Sequence, residues 1–203
     1  TRCTGRRNAL RPSACSGVGM TKLDQTAASA FWQFSLDVYA RPQVAELCLA
    51  LQDEHNFDVN AVLFCLWSAQ RSAAALNQSE IGEVLLRIAP INENLVHPVR
   101  GARRWVRRYI DKVTDSEEAP ELTALYAALK AVELKSEGQV QSALIDLLRP
   151  ASVDHQTSPE SAAHASLEIY RRAIAAHEAA TILLTQLVVR AFAPDAEPKI
   201  SQT

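Results

Sequence analysis

The chain has 203 residues, of which 48% are hydrophobic and 22% are charged, and its formal net charge is −2. This composition is typical of a globular protein with one sizeable core, so a single domain is expected. The slightly negative charge argues against general affinity for nucleic acid or acidic membranes. No apolar run reaches the roughly 18 residues that a membrane-spanning helix needs.

The first 19 residues differ from the rest of the chain. They contain four arginines, two cysteines and no acidic residue, and they precede the single methionine, Met20. We expect residues 1–19 to be a disordered or non-native leader, with a cleaved targeting peptide as the alternative. Residues 20–193 should form one all-helical domain and residues 194–203 a disordered tail. Setting aside the leader arginines leaves 17 basic residues against 23 acidic ones, a net charge of −6.

Three short helices are predicted between Phe31 and Trp67. The apolar side chains of the first helix recur with a period of 3.6 and form a broad arc. They are Phe31, Trp32, Phe34, Leu36, Val38 and Tyr39. Ser35 falls inside this arc, where we expect its hydroxyl to donate to the carbonyl of Phe31 rather than to act as a nucleophile.

The corners between these helices are predicted from single residues. Pro42 should end the first helix, and a second apolar stripe follows at Val44, Leu47, Cys48 and Leu51. Asn56 suits a left-handed C-cap, and Asp58 is a strong N-cap for the third helix. That helix, from Val59 to Ala69, is apolar nearly all the way round, which predicts a central position.

A fourth helix is expected to be capped by Asn77 or Ser79 and to stop at Pro90. From Ile91 a further helix should follow, and Pro98 should either kink it or start a new helix.

The strongest charge signal lies between Val99 and Val113. Five arginines fall on one side of a predicted helix: Arg100, Arg103, Arg104, Arg107 and Arg108. The opposite side is apolar and is expected in the core; it comprises Ala102, Trp105, Val106, Tyr109, Ile110 and Val113. The arginines could pair internally with Asp37, Asp53, Glu54 and Asp58, form a solvated face, or bind an external anion or acidic partner. Nucleic acid is not expected, because no glycine-rich loop or interleaved aromatic platform accompanies them.

Four motifs in this part of the chain carry a resemblance. They read FWxFSLxxY, CLxLQD, DVNxxLFxLW and HPVRGARRW, and they cover about Phe31 to Arg108. In combination they resemble an uncharacterised family of small helical proteobacterial proteins, a domain of unknown function. That family usually has Gly in place of Asn56 and Leu in place of Val99; the first change keeps the left-handed corner, the second is a mild core change, and neither argues against membership. The resemblance implies a helical fold but no reaction, cofactor or ligand.

The second half of the chain also has helical periodicity. Pro120 should open a helix that gives way near Gly138 to a shorter one. Ser158, followed by Pro159, should start an alanine-rich helix that runs to Phe192 and either packs along the domain or offers a seam to a second copy. The predicted fold is therefore an all-α, single globular bundle of about seven or eight helices with a long C-terminal helix.

Known catalytic and metal-binding patterns are missing from the sequence. The string Asp53, Glu54, His55 and Asp58 could hold a divalent cation, but a helix end followed by a cap explains it better. No catalytic, cofactor-binding or metal-binding residue is predicted, and whether the protein is an enzyme stays open. Cys48 and Cys65 lie on apolar faces, which favours a reducing cytoplasm.

Two functional hypotheses follow. The first is a non-enzymatic cytoplasmic module that binds another protein through the arginine face, or a second copy through the C-terminal helix. The second is a small-molecule or lipid-binding domain, possibly an enzyme, with a pocket lined by Phe31, Trp32, Ser35, Tyr39, Asp58, Asn60 and Trp67. These aromatic residues also fit a plain core. An open cavity that meets the polar groups favours the second hypothesis, and a filled core with an exposed arginine stripe favours the first.

Overall fold

The computed structural model describes residues 22–113, 118–148 and 157–194. The helices are α1 (Lys22–Tyr39), α2 (Val44–His55), α3 (Val59–Ser72), α4 (Gln78–Ile91), α5 (His97–Ile110), α6 (Ala119–Ile145), α7 (Pro159–Ala173) and α8 (Ala180–Ala191). A π-helical turn, Asn92–Val96, joins α4 to α5 without a break, so the described residues form seven helical rods and no strand. The prediction of an all-α fold with seven or eight helices is confirmed. The predicted leader and all of the predicted tail after Pro194 lie outside the described residues.

Helix α3 forms the centre of the core, as its apolar circumference predicts. Every residue from Asn60 to Trp67 is buried. The ring of Phe31, from α1, stacks on Trp67 with centroids 4.8 Å apart and meets Phe64 edge-on at 5.8 Å. Aromatic contacts of this kind add to the burial of apolar area, so α1 and α3 are held together by three packed rings.

The corner between α2 and α3 is built as its three residues predict. Asn56 adopts a left-handed conformation with φ of 60°, and its N–H donates to the carbonyl of Leu51. The carboxylate of Asp58 accepts from the N–H of Ala61 at 2.9 Å, which caps α3. Phe57 is buried against Tyr170 of α7, and the Tyr170 hydroxyl accepts from the N–H of Asp58 at 2.8 Å. Local caps therefore set the corner, and α7 closes over it.

Pro90 does not end α4, contrary to the prediction. The helix passes through Pro90 and widens into the π-helical turn. The side-chain amide of Asn94 donates to the Pro90 carbonyl at 2.8 Å. Pro90 lacks the N–H that would bond the Leu86 carbonyl one turn earlier, but both residues lie on the exposed side of α4, where water can take that bond, so the rod continues. Pro98 lies just after the π-helical turn, whose wider hydrogen-bond ladder accommodates a proline inside a continuous rod.

Helix α6 runs unbroken through Gly138, so the predicted break there is wrong. At 27 residues it is the longest helix in the described part of the chain. A single glycine costs a helix only about 1 kcal/mol, and the burial of Val140, Leu144 and Ile145 beyond it offsets that cost.

The predicted long C-terminal helix is not confirmed, because the chain breaks into α7 and α8. Ala175 adopts a positive φ of 51°, and the Arg171 guanidinium donates to the carbonyl of Ala176 at 2.8 Å. The break lets Leu167 of α7 and Leu187 of α8 both reach the core, which one straight rod could not achieve. None of the described helices combines the length and apolarity required to cross a bilayer.

Candidate functional site

Helix α5 turns part of its arginine side toward α6 rather than toward solvent. Arg100 and Arg103 are less than a quarter exposed, and both pair with Glu133 of α6. On the opposite side of α5, which was expected in the core, Val106 is buried but Trp105 is 56% exposed. That expectation is therefore wrong for Trp105 and for Ala102, which is also exposed. The carboxylates of α6 attract the arginines, and the indole is left on the outside, stacked on Tyr109.

Glu133 is the centre of this ion-pair network. Its Oε1 accepts from Arg100 Nε at 2.9 Å and from Arg103 Nη2 at 3.2 Å, and its Oε2 accepts from Arg103 Nε. Burial alone would raise the pKa of Glu133, but the hydrogen bonds from Arg103 and Arg100 outweigh burial and lower it. Charge-assisted bonds of this kind are the strong ones, so Glu133 stays ionised at neutral pH.

Arg100 joins three helices through its guanidinium. Besides Glu133, it donates from Nη1 to Gln52 Oε1 of α2 at 2.8 Å and from Nη2 to Glu137 Oε1 of α6 at 3.0 Å. Burial raises the pKa of Glu137, and Arg100 only partly opposes that effect. Two carboxylates one turn apart on α6 thus have pKa values shifted in opposite directions.

The remaining arginines lie farther out. Arg104 pairs with Asp53 at 3.1 Å, and Arg107 pairs with Asp111 at 3.6 Å on the open surface. Arg108 is exposed. Of the four acidic residues predicted to pair with the arginines, the described ion pairs include Asp53 alone. The principal partners, Glu133 and Glu137, were not foreseen.

A pocket of about 520 Å³ opens between α1, α2, α3, α5 and α6. Its wall combines aromatic, apolar, amide and charged side chains. They are Trp32, Ser35, Leu36, Tyr39, Leu49, Gln52, Val59, Asn60, Leu63, Arg100, Arg103, Arg104, Tyr126, Lys130, Glu133, Leu134, Glu137 and Gln141. The two candidate sites drawn from the sequence, the arginine face and the aromatic pocket, thus meet in one place.

Four of the seven predicted pocket residues line this space, namely Trp32, Ser35, Tyr39 and Asn60. The other three do not. Phe31 and Trp67 are buried against each other in the core, and Asp58 caps α3 while it accepts from the side-chain amide of Asn92 at 2.8 Å. Helical spacing alone could not separate the core side of α1 from its pocket side.

A chain of polar groups crosses the pocket wall between α1, α3 and α6. Ser35 donates to the Phe31 carbonyl at 2.8 Å, as predicted, and its oxygen accepts from Gln141 Nε2 at 3.2 Å. The same Nε2 donates to Asn60 Oδ1 at 3.0 Å. Gln141 is only 4% exposed, and among the described residues its Oε1 accepts no hydrogen bond.

The pocket wall has an excess of positive charge. Arg100, Arg103, Arg104 and Lys130 face two carboxylates, those of Glu133 and Glu137. Burial raises the pKa of Tyr39 to about 12, so its phenol stays neutral. The apolar part of the wall includes three leucines that are about half exposed, Leu36, Leu49 and Leu134. Such a wall suits a molecule with an apolar body and an anionic group.

Sequence reasoning missed the contribution of α6. Tyr126, Lys130, Glu133, Glu137 and Gln141 recur every three or four residues and therefore lie along one side of the helix. This polar row within a leucine-rich and alanine-rich helix was the available signal. In the sequence this row looks the same as a solvent-exposed helix face. Only the packing of α5 against α6 shows that it lines a pocket.

The residues considered above as metal ligands or reactive thiols have structural roles. The described residues include no cluster of three or more His, Cys, Asp or Glu side chains placed to hold a metal ion. Cys48 and Cys65 are buried free thiols, and burial raises the pKa of each to about 12. Both cysteines act as small core side chains.

Fold and site together define a protein whose described part is helical, with an open, polar-walled pocket along α6. The chain belongs to the family described as "Protein of unknown function (DUF2390)", whose model matches residues 30–144. The expected membership in an uncharacterised family is confirmed, and the match extends beyond Arg108 into α6. All the pocket-lining residues fall inside the matched segment, and α7 and α8 fall outside it. Comparisons with curated proteins and with solved structures gave no match.

Proposed function

We propose that this protein binds an anionic small molecule in the pocket between α1, α2, α3, α5 and α6. The observation that carries the proposal is the coincidence of an open 520 Å³ space with four cationic and two acidic side chains over an aromatic and apolar wall. Pockets of roughly 300–1,000 Å³ that are apolar with a few placed polar groups are typical of small-molecule sites.

The charges on the wall indicate the chemistry of the ligand. Arg104 and Lys130 lie at the accessible part of the wall, and the only carboxylate bonded to Arg104 in the described residues, that of Asp53, is about half exposed. A carboxylate or phosphate on the ligand can take such a solvent-screened partner's place at small cost. The rings of Trp32, Tyr39 and Tyr126 offer an apolar surface to the body of the molecule.

The proposal is for binding rather than catalysis. Both pocket carboxylates accept hydrogen bonds from arginine side chains, and Ser35 is occupied by the Phe31 carbonyl. These groups are engaged in holding the wall together. We also infer a cytoplasmic location from the two buried free thiols, Cys48 and Cys65. Subcellular fractionation of the native host tests that location.

Titration with anilinonaphthalene sulfonate, a fluorescent aromatic anion, tests the proposal. We expect saturable binding at one site per chain, weakened about 3- to 10-fold by Arg104→Gln and by Lys130→Gln. The matched control is Arg107→Gln, one turn further along α5 and outside the pocket, which should leave the affinity unchanged. Because the dye also binds exposed aromatic surface, Trp105→Ala serves as a second control. Absence of saturable binding, or equal loss in all four variants, would contradict the proposal.

Protein binding is the second candidate, and the surface of α8 favours it. Ile182 and Val189 lie seven residues apart, hence on the same side of the helix, and are 65% and 61% exposed. We propose this side as a contact for a second copy of the chain. Light scattering after size-exclusion chromatography should then show a dimer that Ile182→Glu converts to a monomer. A wild-type chain that is monomeric at high concentration would contradict it.

A further inference from the structure

The packing of α5 against α6 brings two pocket cations, Arg104 and Lys130, to the same level. The bonds that join the helices follow an antiparallel register. They run from Arg100 to Glu137 and from Arg103 to Glu133. The same register places Arg104 beside the turn of α6 that carries Lys130, three residues before Glu133. Lys130 forms no ion pair with any described residue, so its ammonium group is available to an anion in the pocket.

An apolar strip begins next to Lys130 and continues along the pocket wall. Leu134 follows Lys130 by four residues and lies on the same side of α6, one turn later. Gly138 follows after four more residues, and Cζ3 of Trp32 lies 3.9 Å from the point where a Cβ at Gly138 would stand. Leu36, one turn beyond Trp32 on α1, lines the same wall. The wall therefore changes from cationic to apolar within one turn of α6.

The side chains of this strip can be reached from the open space of the pocket. Leu36 and Leu134 are about half exposed, and Trp32 is partly exposed. Single exposed leucines are common on protein surfaces, but a row of apolar side chains beside a pocket leaves contiguous apolar area in water. A ligand that covers this row gains the hydrophobic free energy of removing that area from water.

The length of the strip indicates the shape of the apolar part of the ligand. Eight residues separate Lys130 from Gly138, which corresponds to about 12 Å along the helix. An extended chain advances roughly 1.1–1.2 Å per single bond, so about ten bonds span this distance. A compact ring system beside the cations would cover only part of the strip. An extended alkyl chain covers it from Lys130 to Trp32.

We infer that the ligand is an alkyl amphiphile, a carboxylate or phosphate monoester with a chain of about ten carbons or more. Its anionic head lies between Arg104 and Lys130, and its chain lies along Leu134 and Trp32 toward Leu36. Carboxylate and phosphate heads share the charge and the acceptor oxygens that guanidinium and ammonium groups bind, so the site fits either head. The inference rests on the proposed function and names the class of anion that the pocket takes.

Alkyl carboxylates of different length test the inference on the full chain by isothermal titration calorimetry. We expect decanoate to bind about 10- to 50-fold more tightly than hexanoate, because four further methylenes are covered on one side by the strip. Decyl phosphate, measured beside decanoate, distinguishes the two heads, since the tighter binder identifies the head that the cations prefer. The comparison of chain lengths on the wild type needs no variant.

Two variants separate the contribution of the chain from that of the head. Leu134→Gln places an amide in the middle of the strip, and the affinity ratio of decanoate to hexanoate should fall by at least about 3-fold. The matched control is Leu86→Gln, at an exposed leucine of α4 outside the pocket, which should keep the wild-type ratio. Arg104→Gln should weaken both carboxylates by a similar factor and leave their ratio unchanged.

The outcomes separate the inference from the proposed function. Equal affinity of the wild type for hexanoate and decanoate would overturn the inference while leaving anion binding intact. A ratio that is unchanged in Leu134→Gln, or that falls equally in Leu86→Gln, would also overturn it, because the chain would then lie elsewhere. If anilinonaphthalene sulfonate binds and no alkyl anion does, the inference fails alone. If none of these probes binds, the proposed function itself fails.

Discussion

The core around α3 and the pocket wall along α6 differ in how their polar side chains are placed. In the core, Phe31, Phe64 and Trp67 pack ring against ring, and the polar groups at its edge bond one another. Along α6, ionised side chains line an open space. The first region supplies stability, and the second is where we propose that a ligand binds.

The largest effect should come from truncating the core. Phe64 is 1% exposed, and Phe64→Ala is expected to lower the free energy of unfolding by about 3–5 kcal/mol. Urea denaturation followed by circular dichroism measures the loss. The matched control is Trp105→Ala, at a 56% exposed ring on α5, which should cost less than about 1 kcal/mol. Similar losses in the two variants would remove the distinction between core and surface aromatics.

Disrupting the ion-pair network around Glu133 should cause the next largest loss of stability. Glu133→Gln leaves Arg103 without its carboxylate and weakens the support of Arg100, and we expect it to lower the free energy of unfolding by about 2–3 kcal/mol at neutral pH. Because Arg103 and Arg100 overcome burial and lower the pKa of Glu133, its contribution is present above the unfolded-state pKa of about 4.3. That contribution is lost as the pH falls through the lowered value, so the difference between wild type and variant should shrink in acid.

Glu137→Gln is the matched variant one turn along α6, and its pH dependence should have the opposite sign. Burial raises the pKa of Glu137, so the folded state binds its proton more tightly than the unfolded state does. Its ionisation therefore lowers stability as the pH rises above about 4.3. We expect Glu137→Gln to change the free energy of unfolding by less than about 1 kcal/mol at neutral pH. Denaturation at a series of pH values checks both variants, and parallel profiles would contradict the opposed shifts.

A further pair of variants tests the boundary between the core and the pocket. Asp58 was a candidate pocket residue, but it caps α3 and supports Asn92. Asp58→Ala should cost about 1 kcal/mol, and Asp58→Asn, which retains a capping oxygen, should cost less. Thermal denaturation measures both. Affinity for anilinonaphthalene sulfonate should be unchanged in either variant. A marked loss of affinity would show that Asp58 contributes to the pocket.

Much of the fold could be predicted from particular residues, because the relevant forces act locally. The caps at Asn56, Asp58 and Ser158 satisfy backbone groups within one turn. The errors arose where packing overrides local preference. The rod continues through Pro90 because residues on both sides of it, Ile88 and Val96, are buried, and the cost of Gly138 is offset by the burial of the residues after it. The break at Ala175 lets both α7 and α8 reach the core.

The sequence by itself determined the all-helical class, the central position of α3, the Ser35 bond and the membership of a family of unknown function. Tertiary structure alone decided which way the arginines face, that Glu133 and Glu137 meet them, and that Gln141 lies on a pocket wall. The physical reason is the separation along the chain of the residues that interact. Periodicity and capping depend on residues within one or two turns, whereas ion pairs and pockets depend on the packing of helices that are distant in the chain.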